Sequence, residues 1–596
     1  MAHADPHAHR PDPDGARPEL TLRAILTGIV IGALLTPCNI YSGLKIGWAF
    51  NMSIAAGLLA WGFWRLSQRI AATRQWDILE NNINQTAASA AASIISGGLV
   101  APIPALTLLT GQTLAWHWLS LWVFAVSALG IVVAAGLRNQ MLLRERLAFP
   151  AGIATAETMT QIHGEGAEAL ARLRVLFGAA AVAGLAKGID DLLVKLPRPG
   201  PSSVLPWAAV PAAAPAAAAA PLPTFANLGF ILDPSLLMLG FGAIIGLRAG
   251  LSILLGAVFA WGLLAPWLVA RGWAEAGPAD ADWFAPLVTW LLWPGVTMMV
   301  VASLLSFAFS LLRLYRRREE TRPAPRPAFS RFRGHLLGFC AVTALIAFAA
   351  AWLFGIGLWQ SLLAAALSYV LAVVAARVTG ETGITPIGAM GKVTQLAYGL
   401  AAPGNIVANL MSANITGGAA GQCADLMQDL KTGLLVGATP RFQIVAQVFG
   451  IAVGALVGSA VYLLLIPDPQ AMLLTAEWPA PAVATWKAVA EVLAEGIGAI
   501  PPGAVPAMGI AAAAGALLAL SEVILPDRLA RRLPSAPAMG LAFVLPAWNA
   551  ISLCLGALLA RLFPHWAERR TMALAAGLVA GESLVGIAVV MTGLFS

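Results

Sequence analysis

The stretch Thr379–Gly433 sets ionisable side chains inside apolar sequence: Glu381, Lys392, Asp425, Asp429 and Lys431 share it with Asn405, Asn409, Asn414, Pro386, Pro403 and many glycines. Charges at membrane depth are costly and usually mark a substrate or ion path. Proline removes a backbone donor and glycine weakens a helix. Non-helical backbone survives at that depth only when it is buried in protein or lines a cavity. We therefore expect a pair of broken or re-entrant helices here, forming half of a transport site. A partly desolvated carboxylate takes up a proton more readily, which makes Glu381, Asp425 and Asp429 candidate proton carriers. Lys392 is a candidate partner for a substrate carboxylate, and Asn409 and Asn414 for uncharged amide groups. A structural alternative stands beside each: Lys392 and Lys431 as snorkelling side chains, and Asp425 and Asp429, four residues apart, as caps or solvated groups on one helical face.

Three earlier segments carry the same mixture. NIYSGLKIG (Asn39–Gly47) follows Pro37-Cys38 and reads as a break between two spans. Asn39 and Tyr41 suit hydrogen bonding to peptide-like groups and Lys45 suits a carboxylate, although Tyr41 equally fits the aromatic belt at a membrane surface. In Trp76–Gly98, Glu80 and Gln85 stand at the mouth of a helix rich in Ala and Ser. Such small residues let helices approach closely. We assign Glu80 to proton coupling and Gln85 to substrate, with capping at the water interface as the alternative. Leu147–Met159 contains Pro150, Gly152 and a lone Glu157, a further proton-coupling candidate, and is too short to span comfortably.

The elements that position these groups must be membrane helices. A mean hydropathy of +0.79, with 59% hydrophobic and 11% charged residues, excludes an ordinary soluble globular protein. Apolar runs of about 20 residues recur, the length of one crossing. The net charge of +7 is no sign of nucleic-acid binding, because the arginines gather in short loops between spans. Arg65, Arg69 and Arg74, then Arg138, Arg144 and Arg146, then the basic run Arg313–Arg333, mark the cytoplasmic side, where both termini are also expected. The chain divides into a polar tail (1–19, with His3, His7 and His9), a first membrane half (20–312), a basic linker (313–334) and a second membrane half (335–596). The expected fold is an all-α polytopic membrane protein of two repeated halves, with about fourteen full spans plus hairpins or half-helices. Pro234–Ala260 aligns without gaps on Pro534–Ala560, matching Gly240 with Gly540 and Gly256 with Gly556. Repeats with broken segments in each half are the usual trace of a secondary transporter. Cys38, Cys340, Cys423 and Cys554 have no metal-ligand spacing. Gly391-Lys392-Val393 lacks the glycine and hydroxyl of a phosphate-binding loop, and neither HExxH nor GxSxG occurs. No enzyme activity, cofactor or resident metal is expected. The alternatives are a passive channel and, less favoured, a membrane-embedded enzyme.

NIYSGLKIG, ENNINQTAASAAAS, RLAFPAGIATAE, GETGITPIGAMGK, the NLMSANI…DLMQDLKTG stretch, PSAPAMGLAFVLP and GLVAGESLVG occur in that order, and together they resemble the oligopeptide transporter family. The pattern is most similar to its bacterial members and to the yellow-stripe-like metal-chelate transporters. The resemblance runs from about residue 22 to 595. It implies about sixteen helical segments in repeated units and proton-coupled uptake of small peptides or of amino-acid-derived metal chelates. It also implies a multi-pass protein of a bacterial cytoplasmic membrane, with protons and lipids as its other partners, and it leaves room for a homodimer. The alanine-rich insertion near 210–220 is peculiar to this chain.

Overall fold

The computed structural model describes residues 18–48, 51–71, 73–164, 166–201, 222–318, 329–383 and 385–595. The histidine-bearing tail, most of the Pro/Ala-rich insertion and the middle of the basic linker lie outside them. The described chain is helical nearly throughout. In order come α1 (Leu22–Ile46), α2 (Ser53–Ala71), α3 (Ile78–Ala92), α4 (Pro102–Thr110), α5 (Trp116–Arg138) and α6 (Pro150–Gly164). Next are α7 (Gly166–Gly188), α8 (Leu236–Ala257), α9 (Ala265–Ala270), α10 (Phe284–Arg318), α11 (Phe329–Phe354) and α12 (Leu358–Thr382). The chain continues through α13 (Ile387–Ala401), α14 (Ile406–Val436), α15 (Pro440–Leu465), α16 (Pro469–Met472) and α17 (Pro481–Glu495). It closes with α18 (Ala504–Ile524), α19 (Asp527–Ala530), α20 (Ala536–Leu541), α21 (Ala547–Leu562) and α22 (Pro564–Phe595). Eleven described stretches are long and apolar enough to cross a membrane. This is an all-α polytopic membrane protein.

Two expected breaks are absent. The chain does not break at Pro37–Asn39: α1 runs through Pro37 to Ile46, stopped only by Gly47 at φ 82°. Pro37 cannot donate to the Ala33 carbonyl, and the hydroxyl of Thr36 and the thiol of Cys38 bond the carbonyls of Gly32 and Leu34 on either side of it; membrane helices tolerate proline where neighbouring groups support the backbone in this way. Nor is the Asn405–Gly433 portion broken. It is one 31-residue helix, capped by the Asn405 side chain on Ala408 N–H. Its polar groups face other helices rather than lipid, so helical geometry costs nothing there. Only the preceding portion is irregular: α12 ends at Gly383 (φ 79°), and α13 is a 15-residue half-helix. The true break in the first half comes one span later than expected, between α3 and α4, where Ser93–Gly97 tightens and Gly98 takes φ 118°.

The aligned segments fold alike. α8 is interrupted at Gly246 (φ 81°, ψ 165°), and the aligned Pro546 separates α20 from α21. The two units pack reciprocally. A Cβ on Gly256 would lie 2.5 Å from the Met539 carbonyl, and one on the aligned Gly556 would lie 2.1 Å from the Leu239 carbonyl, aligned with Met539. Such mutual contact is the signature of a two-fold relation. The flanking helices follow it: α7 packs on α22 and α18 packs on α10. In the other bundle α3 packs on α15 and α14 on α5. Gly450 and Gly454 lie against Ala87 and Ala91 there, and Gly130 lies against Ala419. Small residues at these crossings bring backbones together where no hydrophobic effect drives association.

Candidate functional site

The densest polar region is a seam between α2, α3, α14 and α15. Asp425 and Asp429 sit one turn apart on α14, where four-residue spacing puts them on one face. Ser93 Oγ donates to Asp425 Oδ1 (3.0 Å) and Gln447 Nε2 lies 3.3 Å from Oδ2. Asp429, 2% exposed, has Ser53 Oγ at 3.4 Å, and Ser53 in turn reaches Ser89 at 3.0 Å. Gln443 Nε2 donates to the Asp429 carbonyl at 2.7 Å and lies 3.3 Å from Thr86 Oγ1. Among the described residues no cation pairs with either carboxylate. Several buried acceptors in the seam lack donors: Asp429 Oδ2 and the amide oxygens of Gln85, Gln443 and Gln447. Buried polar atoms are rarely left so. Gln85 Nε2 reaches Asn82 and Thr86, and the same amide stands beside the Asp429 carboxyl.

A second site lies at the far end of α1. A cavity of about 740 Å³ is walled by Tyr41 and Lys45, the end of α7, the segments before α8 and α10, Glu477, the start of α21 and Glu582 in the middle of α22. Its size suits a drug-sized ligand. Lys45 Nζ donates to the Glu477 carbonyl at 2.5 Å and stands 4.8 Å over the Trp478 ring and 5.6 Å over Tyr41. Arg198 bridges Asp190 (2.8 Å) and Asp233 (3.3 Å), while Lys187 (2.9 Å) and Lys195 (3.7 Å) both meet Asp191. Burial disfavours the Arg198 charge, but Asp190 and Asp233 outweigh it and hold the guanidinium above its usual value. Glu582 on α22 caps the start of α8, accepting from Ser235 Oγ and Leu237 N–H, each at 2.7 Å.

Asn39 links the two sites. It is buried on α1 between Tyr41 and the seam, and its Nδ2 donates to the Ala92 carbonyl (3.0 Å), next to the Ser93 that holds Asp425.

The remaining candidates fall elsewhere. Lys392 on α13 is 2% exposed, its Nζ 3.1 Å from Gln395 Oε1 and 4.3 Å over the Trp486 ring. Asn409 and Gln395 bond each other, Asn409 Nδ2 donating to the Gln395 carbonyl at 2.7 Å. Asn414 accepts from Trp122 Nε1 at 2.6 Å and packs against Gly98 at the α3–α4 break. Glu80 is clasped by Arg23, by Arg74 (2.8 Å) and by Thr21 (2.6 Å), at the end of α1 remote from the cavity. Glu157 is exposed on α6 and Glu381 is exposed at the end of α12. Among the groups that sequence reading missed, Glu582 lay within GLVAGESLVG and Glu477 beside a buried tryptophan. Lys187, Asp190, Asp191 and Arg198 read as the ordinary polar end of a span, and only the folded chain assembles them around a cavity.

The family profile for oligopeptide transporter proteins matches residues 19–318 and 334–592. The chain is 26% identical over 565 residues to the protein of Saccharomyces cerevisiae named "Putative oligopeptide transporter YGL114W", covering 75% of this chain and 77% of that one. It is 24% identical over 640 residues to the metal-nicotianamine transporter YSL2 of Arabidopsis thaliana (95% and 92% covered). It is 23% identical over 633 residues to the iron-phytosiderophore transporter yellow stripe 1 of Zea mays (95% and 89% covered).

Proposed function

Because the chain belongs to the oligopeptide transporter family, we propose that it is a secondary active transporter importing small oligopeptides or amino-acid-derived metal chelates together with protons, across a bacterial cytoplasmic membrane. Relatives named for peptide, metal-nicotianamine and iron-phytosiderophore transport support that range of cargo. The observation that carries the coupling is the seam around Asp425 and Asp429. Two carboxylates without cationic partners are costly there unless protons neutralise them in part of the cycle. The amides suit both forms. An ionised Asp425 accepts from Gln447 Nε2 and Ser93, whereas a protonated acid must donate, and the unused oxygens of Gln85, Gln443 and Gln447 are the acceptors it would need.

Cargo enters the cavity beside Tyr41 and Lys45. Through α1 and Asn39 its arrival bears on Ala92 and Ser93, at the α3–α4 break, and so on Asp425. Broken helices at such positions are where alternating-access transporters move. Glu80, held by two arginines, ties α1 to the start of α3. Lys392 and Asn409 tie α13 to α14 and α17.

The reading is tested by uptake into sealed liposomes containing the full chain, with labelled di- to hexapeptides in one series and iron–nicotianamine in another. It predicts accumulation above the outside concentration under an inward proton gradient, abolished by a protonophore. Equilibration without accumulation, indifferent to the gradient, would make the protein a channel.

A further inference from the structure

The charges around the cavity do not cancel evenly. Arg198 is taken by Asp190 and Asp233, and Lys187 and Lys195 by Asp191. Lys45 alone of these cations meets no carboxylate among the described residues; one of its protons goes to a backbone carbonyl. Two neutral groups in the same wall are also unused. Among the described residues, Asn549, 4% exposed, has no side-chain hydrogen-bond partner, and the Tyr41 hydroxyl, on a side chain 3% exposed, has none either. Asn549 stands in the first turn of α21, whose cap residue Pro546 offers no side chain to its N–H groups. An uncapped helix start favours anions. At the other sign, Glu477 and Asp280 line the cavity and their carboxylates form no ion pair among the described residues.

On the reading that this protein carries small amino-acid-derived solutes, we propose that the cavity is a recognition site for a ligand with one free carboxylate and one free ammonium group. Lys45, Asn549 and the start of α21 take the carboxylate, with Tyr41 as an added donor. Glu477 and Asp280 attract the ammonium. A peptide with both ends free carries these groups uncommitted. A chelate folded around a metal spends its carboxylates and amines on the ion, so the site prefers the open peptide. Lys45 and Glu477 are joined through the Glu477 backbone, which sets the two signs side by side on one wall. Within the cavity's 740 Å³ a ligand of a few residues can fold back to present both ends.

The test is direct binding to the purified full chain in detergent, which does not depend on transport or on any gradient. The probes are trialanine, its N-acetyl form, its C-terminal amide and iron–nicotianamine. The expected result is that trialanine binds and that amidation weakens it about 10- to 100-fold, the worth of a charge-assisted contact. In Lys45→Met the penalty of amidation should fall to a few-fold, the part that Asn549 and the start of α21 still supply. Asn549→Leu should shrink the same difference, and Glu477→Gln should shrink the penalty of N-acetylation while leaving that of amidation. Circular dichroism and a monodisperse elution profile identify variants that fail to fold, and Tyr41→Phe, which keeps the ring, serves as the mild second variant. Equal binding of acid and amide to the unaltered protein would overturn the proposal. So would an amidation penalty undiminished in Lys45→Met, iron–nicotianamine binding more tightly than trialanine, or no binding of trialanine. Terminus-dependent binding without proton-driven uptake would instead leave this site standing and refute the coupling reading.

Discussion

At the scale of single residues, the ionisable groups separate into those already paired and those left open. Glu80 belongs to the first kind. Glu80→Ala leaves Arg23 and Arg74 facing each other without their shared anion, and breaking such a pair costs about 2–3 kcal/mol once the exposure of Arg74 is allowed for. We expect thermal unfolding in detergent to begin at a clearly lower temperature; an unchanged midpoint would show that the clasp is dispensable. Lys392 is the opposite case: a buried amine with an amide and an indole ring for company and, among the described residues, no carboxylate. Lys392→Met keeps the stem and removes the buried charge, so the folded protein should become more resistant to heat. If uptake falls while stability rises, the charge serves transport. If both fall, Lys392 holds the fold.

At the scale of elements, glycine crossings decide how closely the helices lie. Gly256→Val and Gly556→Val each force a side chain against the carbonyl of the paired unit, at Met539 and Leu239. Overpacking of this kind costs about 1–3 kcal/mol, and the two losses should be alike because the contacts are reciprocal. Markedly unequal losses in thermal stability would contradict the two-fold relation. The all-α membrane class, the repeat at 234–260 and 534–560, and the polar character of α14 were legible in the sequence, because hydropathy and composition carry them directly. The positions of the breaks were not. Proline and glycine signal a weak helix, yet Pro37 deprives one carbonyl, that of Ala33, of its donor while side chains bond the carbonyls on either side of it, and on α14 the glycines serve close packing. Of the chosen residues, Asp425, Asp429 and Gln85 converge in the seam and Tyr41 and Lys45 in the cavity wall, whereas Glu80, Glu157 and Glu381 stand apart. No local pattern marks the cavity, since its wall comes from segments far apart in the chain.

At the scale of the whole molecule, the account requires the cavity to open away from the arginine-rich loops. A single cysteine at Glu477, in a background lacking the native cysteines, should react with a membrane-impermeant maleimide added outside intact cells, and bound peptide should slow that reaction. Labelling only from the cytoplasmic side would invert the proposed orientation and, with it, the direction of transport.

The central claim is that cargo and protons cross together through Asp425 and Asp429. The direct measurement is proton entry, followed with a pH-sensitive dye trapped in liposomes containing the full chain, when cargo that the protein accumulates is added outside. Acidification should follow addition of cargo to the unaltered protein and vanish in Asp425→Asn and Asp429→Asn, while exchange of labelled for unlabelled cargo continues in at least one of them. Cargo-driven acidification that persists in both variants would place the coupling elsewhere, and cargo entry without any acidification would end the claim.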